Sequence, residues 1–262
     1  MIESYSYRRN DDYYRDVARG GVAGARPFGG FGKRTTAGAE SNIIWPNGTF
    51  TVPPVTGTTV SFKSDDAADT AGGTGIRTLG VVWVDTSYQQ HLAVITMNGT
   101  SDSVDTLTGA VFIQCMFMIT YGSGKAATGN ISAYNATETY SYITAGDKRC
   151  SSSLRMVPAG KRLLVAAAVA GSISGTAAVQ SEIRIVASTF HINAGGVAYD
   201  YDYSADSVFM PQAELVFQDG SFGLPFPIPI PFNTGEIVGM EFTVDGKATI
   251  VGTWFGVLEE QP

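Results

Sequence analysis

Apolar positions along this chain alternate with polar ones at period two far more often than they recur at the helical period. The clearest case is residues 75–100, GIRTLGVVWVDTSYQQHLAVITMNGT. Leu79, Val81 and Trp83 share one face of an extended chain and Val82 and Val84 the other, as in a strand buried on both sides. Trp83 is therefore an expected core residue, whose replacement by Ala costs about 3–5 kcal/mol. Ser87, Tyr88, Gln89 and Gln90 break the apolar run, residues 92–97 form the return strand, and Asn98-Gly99 predicts a type I′ turn.

The same patterning predicts strands at 58–63, 110–121, 130–135, 155–156, 162–170, 179–192, 238–244 and 248–258, with turns at Pro158-Ala159-Gly160 and Asp245-Gly246. Residues 224–232, LPFPIPIPF, lack every second amide hydrogen. They form an edge strand or a polyproline II stretch, never a central strand, with Leu224, Phe226, Ile228, Ile230 and Phe232 on one face. Such a segment protects a sheet edge from aggregation; as a second reading, it is a subunit contact.

Residues 1–54 lack this alternation. A single helical turn is possible at 13–18, and Gly20, Gly21, Gly24, Pro27, Gly29, Gly30 and Gly32 forbid anything longer. The segment reads as an extended, largely irregular docking arm ahead of a β-sandwich body at 55–262. Removing residues 1–39 is expected to leave that body folded. Aromatic and basic side chains along the arm offer contact area at low entropic cost, which makes Tyr5, Tyr7, Arg8, Arg9, Tyr13, Tyr14, Arg15, Arg19, Arg26, Phe28, Phe31, Lys33 and Arg34 the candidate partner contacts.

Composition narrows the fold to all-β: 262 residues with 31 Gly, 12 Tyr, 44% hydrophobic and 16% charged residues suit an antiparallel, jelly-roll-like sandwich. The net charge of −7 argues against nucleic-acid binding by the whole surface. Residues 1–40 carry seven of the 17 Lys and Arg but five of the 24 Asp and Glu, so the arm is positive and the body acidic. An acidic neighbour for the arm and a simply solvated terminus are both consistent with that split. No signal peptide or membrane-spanning run is apparent, which sets the expectation of a soluble protein made in a cytoplasm and without membrane partners.

Chemistry is sparse. His91 and His191 have no metal-ligand partner at short spacing, and Cys115 reads as a small buried hydrophobe, with Cys150 too few for a disulfide framework. Asp200, Asp202 and Asp206 alternate as in a calcium site but lack the glycine and glutamate of an EF-hand loop; Asp65, Asp66 and Asp69 carry still less geometry. Gly72-Gly73-Thr74-Gly75 precedes a strand and not a helix, so it is no phosphate cradle. The sequons at Asn47, Asn98, Asn130 and Asn135 mean little without a secretory signal. No catalytic, cofactor or metal site is expected.

The run GTGIRTLGVVWVDTSYQQHLAVITMNGT resembles a recurrent segment of small β-sandwich virion structural proteins of tailed bacteriophages. Residues 110–123, the MVPAGK run at 156–161, the strand at 181–186 with Arg184 and the proline-bounded segment before the last strands are similar too, so the resemblance spans residue 58 to the end. It implies a non-enzymatic virion component, foremost a capsid decoration or cement protein whose arm docks on the major capsid protein and which forms homo-oligomers. A neck, tail or fibre component is the alternative. From another class, a glycan-binding module or depolymerase would use Tyr199, Tyr201 and Tyr203 to stack on sugars.

Overall fold

Hairpins and longer crossovers assemble the chain into three antiparallel sheets. The computed structural model describes residues 10–136, 138–174, 178–188, 209–218 and 220–261. In chain order these form α1 (Asn10–Ala18), β1 (Arg26–Thr35), β2 (Glu40–Ile43), β3 (Thr58–Ser64), β4 (Ile76–Asp85), β5 (Gln90–Thr96), β6 (Leu107–Tyr121), β7 (Ile131–Asn135) and β8 (Glu138–Ile143). There follow β9 (Arg155–Met156), β10 (Lys161–Ser174), β11 (Gln180–Ser188), β12 (Phe209–Gln218), β13 (Gly220–Phe232), β14 (Ile237–Val244) and β15 (Ala248–Glu260).

A four-stranded sheet runs β1-β15-β10-β13, and a second runs β12-β11-β14-β2 with β9 alongside β14. They face each other across Leu163, Val165, Ile183, Ile185, Met240, Phe242, Ile250 and Trp254, the sandwich core. The third sheet, β5-β4-β6-β3-β7-β8, curls around Val60, Phe62, Leu79, Val81, Met116 and Ile131. A third cluster, with Trp45, Phe50, Val84, Phe112, Val186 and Ile237, joins it to the sandwich. The protein is thus an all-β assembly of packed antiparallel sheets, as the alternation predicts.

The expected arm boundary at residue 54 differs from the structure. β1 pairs with β15 over its whole length, Arg26 opposite Leu258 to Thr35 opposite Thr249, and β2 pairs with β14. The physical reason lies in the glycines that read as irregular chain. A Cβ on Gly30 would stand 2.1 Å from the Ser153 carbonyl oxygen and 2.5 Å from Trp254 Nε1; one on Gly32 would stand 2.2 Å from the Ile44 carbonyl oxygen. Only a strand bare at these positions can lie so close to the core.

Two local expectations also change. Asn98-Gly99 does not make a type I′ turn, because Gly99 alone takes a positive φ (64°) while Asn98 bridges to Thr70. β5 and β6 are not neighbours; β4 lies between them. The proline segment lies in β13 and is an edge strand, paired to β10 only, but its apolar residues do not keep one face. Its register jumps from Ile230 opposite Val165 to Pro225 opposite Ala167, and Ile228 in the resulting bulge is 84% exposed.

Candidate partner-binding surface

β10 and β15 carry apolar residues on both faces. Inward go Val165, Ala168, Ala170, Ile250 and Trp254; outward, in register, stand Ala167 opposite Phe255, Val169 opposite Thr253 and Gly171 opposite Val251. A sheet face of this composition in water calls for a cover. At one end the cover is α1, whose Val17 is buried and whose Tyr13 and Tyr14 are half-buried. Tyr13 OH donates to Glu259 Oε2 at 2.9 Å, and Arg162 Nε donates to Glu259 Oε1 at 3.0 Å. Burial, helped by the bond to Glu259, pushes the Tyr13 hydroxyl up to about 12.

α1 does not close the face. A groove of about 470 Å³ remains between Tyr14, Val17, Pro27, Ala167, Pro225 and Phe255. Further along the sheet, Val169, Ile173, Val251 and Ser221 bound a second hollow of about 390 Å³. Ile173 is 71% and Phe255 52% exposed. The outer face of the opposite sheet is of another kind: Arg184 pairs with Glu182, Glu214 and Glu241, a charged surface suited to solvent.

The sequence-predicted contact residues scatter. Tyr5, Tyr7, Arg8 and Arg9 lie outside the described residues. Tyr13 and Tyr14 hold α1 down, and Phe28 packs on the core beside Trp254, ring centroids 6.1 Å apart. Phe31 lies beneath the Arg149 guanidinium. Arg34 is consumed internally: its Nη1 donates to the carbonyl oxygens of Trp45, Asn47 and Gly48 at 2.9–3.2 Å, and its Nη2 pairs with Glu40. Arg15, Arg19, Arg26 and Lys33 remain exposed. The Val169–Ile173–Phe255 surface was not singled out in the sequence, although the unbroken run LLVAAAVAG in β10, apolar at odd and even positions alike, carries its signal.

The acidic and cysteine positions serve structure. Asp69 is buried and accepts amides from Ile76, Thr128 and Gly129 and the Ser64 hydroxyl. Asp65 holds Asn130 through its amide and side chain, and Asp66 accepts from the Ala68 amide. Among the described residues no three His, Cys, Asp or Glu side chains are grouped to hold a metal, and no helix is long and apolar enough to cross a membrane. Asp200, Asp202, Asp206, His191, Tyr199, Tyr201 and Tyr203 lie outside the described residues. His91 stacks on Trp83 (4.9 Å) and meets Asp85 at 2.7 Å. Burial raises the Asp85 carboxyl, but the hydrogen bonds from His91 and the Gln89 and Ser87 amides more than offset it and leave the group below its ordinary value. Cys150 Sγ lies 2.8 Å from Cys115 Sγ, and the hydrogen bond between them, with burial, pushes the Cys115 thiol far up.

No protein-family model and no curated protein matches the chain. Two solved structures align over 90% of it. One is infectious bursal disease virus Gt strain, at 10% identity over 72% of that chain with a TM-score of 0.19. The other is the infectious bursal disease virus VP2 subviral particle, at 9% over 75% with a TM-score of 0.13. Values this low do not define a shared architecture.

Proposed function

We propose that this protein is a non-enzymatic structural component of a bacteriophage virion, a capsid decoration or cement protein that binds the major capsid protein. The observation that carries the reading is the apolar outer face of the four-stranded sheet, where α1 covers only one end and no described residue covers Ile173 or Phe255. A partner in an assembly would bury it. The resemblance of residues 73–100 to virion proteins of tailed bacteriophages supports the virion setting. On this reading the protein docks through α1 and the sheet beneath it, in place of an irregular arm.

Copy number in purified particles tests the reading. Hundreds of copies per particle are the expected result; a dozen or fewer would assign the protein to the neck or tail, and absence from particles would overturn the proposal. Within it, Phe255→Lys with Ile173→Lys should leave the protein folded and abolish binding to shells.

A further inference from the structure

β5 forms one edge of the third sheet, and the register of its hairpin sets which of its groups are free. The Asp85 amide donates to the Gln89 carbonyl at 3.1 Å, and the Met97 amide to the Arg77 carbonyl at 2.9 Å. Antiparallel pairing alternates bonded and unbonded positions, so odd-numbered residues of β5 bond to β4. The main-chain groups of Gln90, Leu92 and Val94 therefore point away from the sheet. At one end of this stretch the edge is stopped, where the Asp105 carboxylate accepts the Thr96 amide at 3.2 Å.

Among the described residues nothing bonds to these main-chain groups, and two of the three residues, Leu92 and Val94, also carry exposed apolar side chains. Leu92 is 64% and Val94 56% exposed. β5, QHLAVIT, holds no proline, lysine, arginine or carboxylate, the residues that usually guard an edge. The other edges are guarded. β13 has its prolines and bulge, the Lys33 amide of β1 is bonded to the Ser151 carbonyl, β12 contains Pro211 and Glu214, β2 is four residues long, and β8 is largely buried.

We infer that β5 is a self-pairing site, where a second copy of this chain adds its own β5 antiparallel about a two-fold axis at Ala93, making one continuous sheet. That axis sets Leu92 opposite Val94 of the second copy, and the paired stretch ends where Gln90 reaches the Thr96 of the second copy, whose amide Asp105 holds. Even-numbered positions then meet even-numbered ones, as the free amides require. The central pairs are apolar on apolar, and no like charges meet. An isologous contact of this kind asks nothing of the partner that this chain does not already have. The inference adds an interface to the assembly reading above, but it is read on the purified protein, so its failure and absence from virions are separate results.

Sedimentation velocity across a dilution series of the full chain is the test. A reversible dimer is expected, and Leu92→Lys with Val94→Lys, which sets lysines against lysines, should weaken it by about 100-fold. A wild type that stays monomeric at every concentration overturns the inference, as does a dimer that the double variant leaves equally tight. Should the variant fail to fold, hydrogen exchange on the wild type decides. The amides of Leu92 and Val94 should gain protection as concentration rises, and equal exchange at low and high concentration overturns the site.

Discussion

Asp69 accepts the amide of Gly129 at 2.8 Å across sixty residues of chain, fixing the loop before β4 to the loop before β7. The same carboxylate takes the Ile76 amide and the Ser64 hydroxyl, both at 2.7 Å, and the Thr128 amide at 3.0 Å. Gly75 makes room for it, since a Cβ there would stand 2.0 Å from Asp69 Oδ1. Asp69→Ala strands these donors in a buried place and should cost about 3–5 kcal/mol in urea unfolding, with Asp69→Asn costing roughly half. A loss below about 1 kcal/mol would show that water replaces the carboxylate without penalty.

The two β-sheet tryptophans should respond to truncation to very different degrees. Trp254 is buried and its Nε1 donates to the Ser153 carbonyl at 2.8 Å, so Trp254→Ala should cost about 3–5 kcal/mol. Trp83, expected from its valine neighbours to be core, is half-exposed under His91, and Trp83→Ala should cost only about 1–2 kcal/mol. Thermal melts of the two variants give the order directly.

Truncation at the N-terminus should show a sharp boundary. Deleting residues 1–25 removes α1 and leaves β1 in place, so a cooperative melt survives with a lower midpoint. Deleting 1–39 removes β1, uncovers Trp254 and takes away the Arg34 contacts to the 45–48 turn. That protein should not fold, and a native-like circular dichroism spectrum from it would restore the arm reading.

The α1 contact should be sensitive to alkali. Tyr13 is held near 12 in the fold against an ordinary value of 10.0, so its contribution is intact below pH 10 and is lost as pH rises through 12. Ultraviolet titration should show this phenolate forming late, and Tyr13→Phe should remove the late step. Tyr134, also near 12 beside Asp102, will titrate with it, so the difference between the two proteins is the quantity to read.

Cys115 and Cys150 should join when given an oxidant. Attack of one thiolate on a small-molecule disulfide, then of the second on the mixed disulfide, releases two molecules of reagent thiol and leaves the protein about 2 Da lighter. With the sulfurs in contact in the fold, intact mass should show this species and no lasting mixed adduct. A stable adduct at either cysteine would mean that the side chains cannot reach bonding geometry.

Much of the fold was legible because alternation is a local property. Residues 76–85 and 237–244 declare their strands within a few positions of themselves, and the prolines of 225–231 declare an edge. β1 was not legible, because Gly29, Gly30 and Gly32 have no side chain with which to alternate, and what makes them a strand is a tryptophan more than two hundred residues away. Arg34 misled for a related reason. A guanidinium looks the same in sequence whether it meets a partner protein or three carbonyls of a turn in its own chain. The apolar outer face of β10 was legible in its composition, but which apolar face is left uncovered depends on where α1 lands.

The pairing of β1 with β15 orders events in time as well as space. Residues 26–35 leave the ribosome long before 248–260, and at roughly 5–20 residues per second the gap is about 10–40 s. During that interval β1 has no strand to join, and the inner half of its sheet cannot form, because β15 is also the strand that connects β1 to β10. Hairpins such as β4–β5 can close meanwhile. The face bearing Phe255 therefore comes into being only once β15 has emerged, so that a nascent chain short of residue 260 lacks the strand that joins β1 to β10.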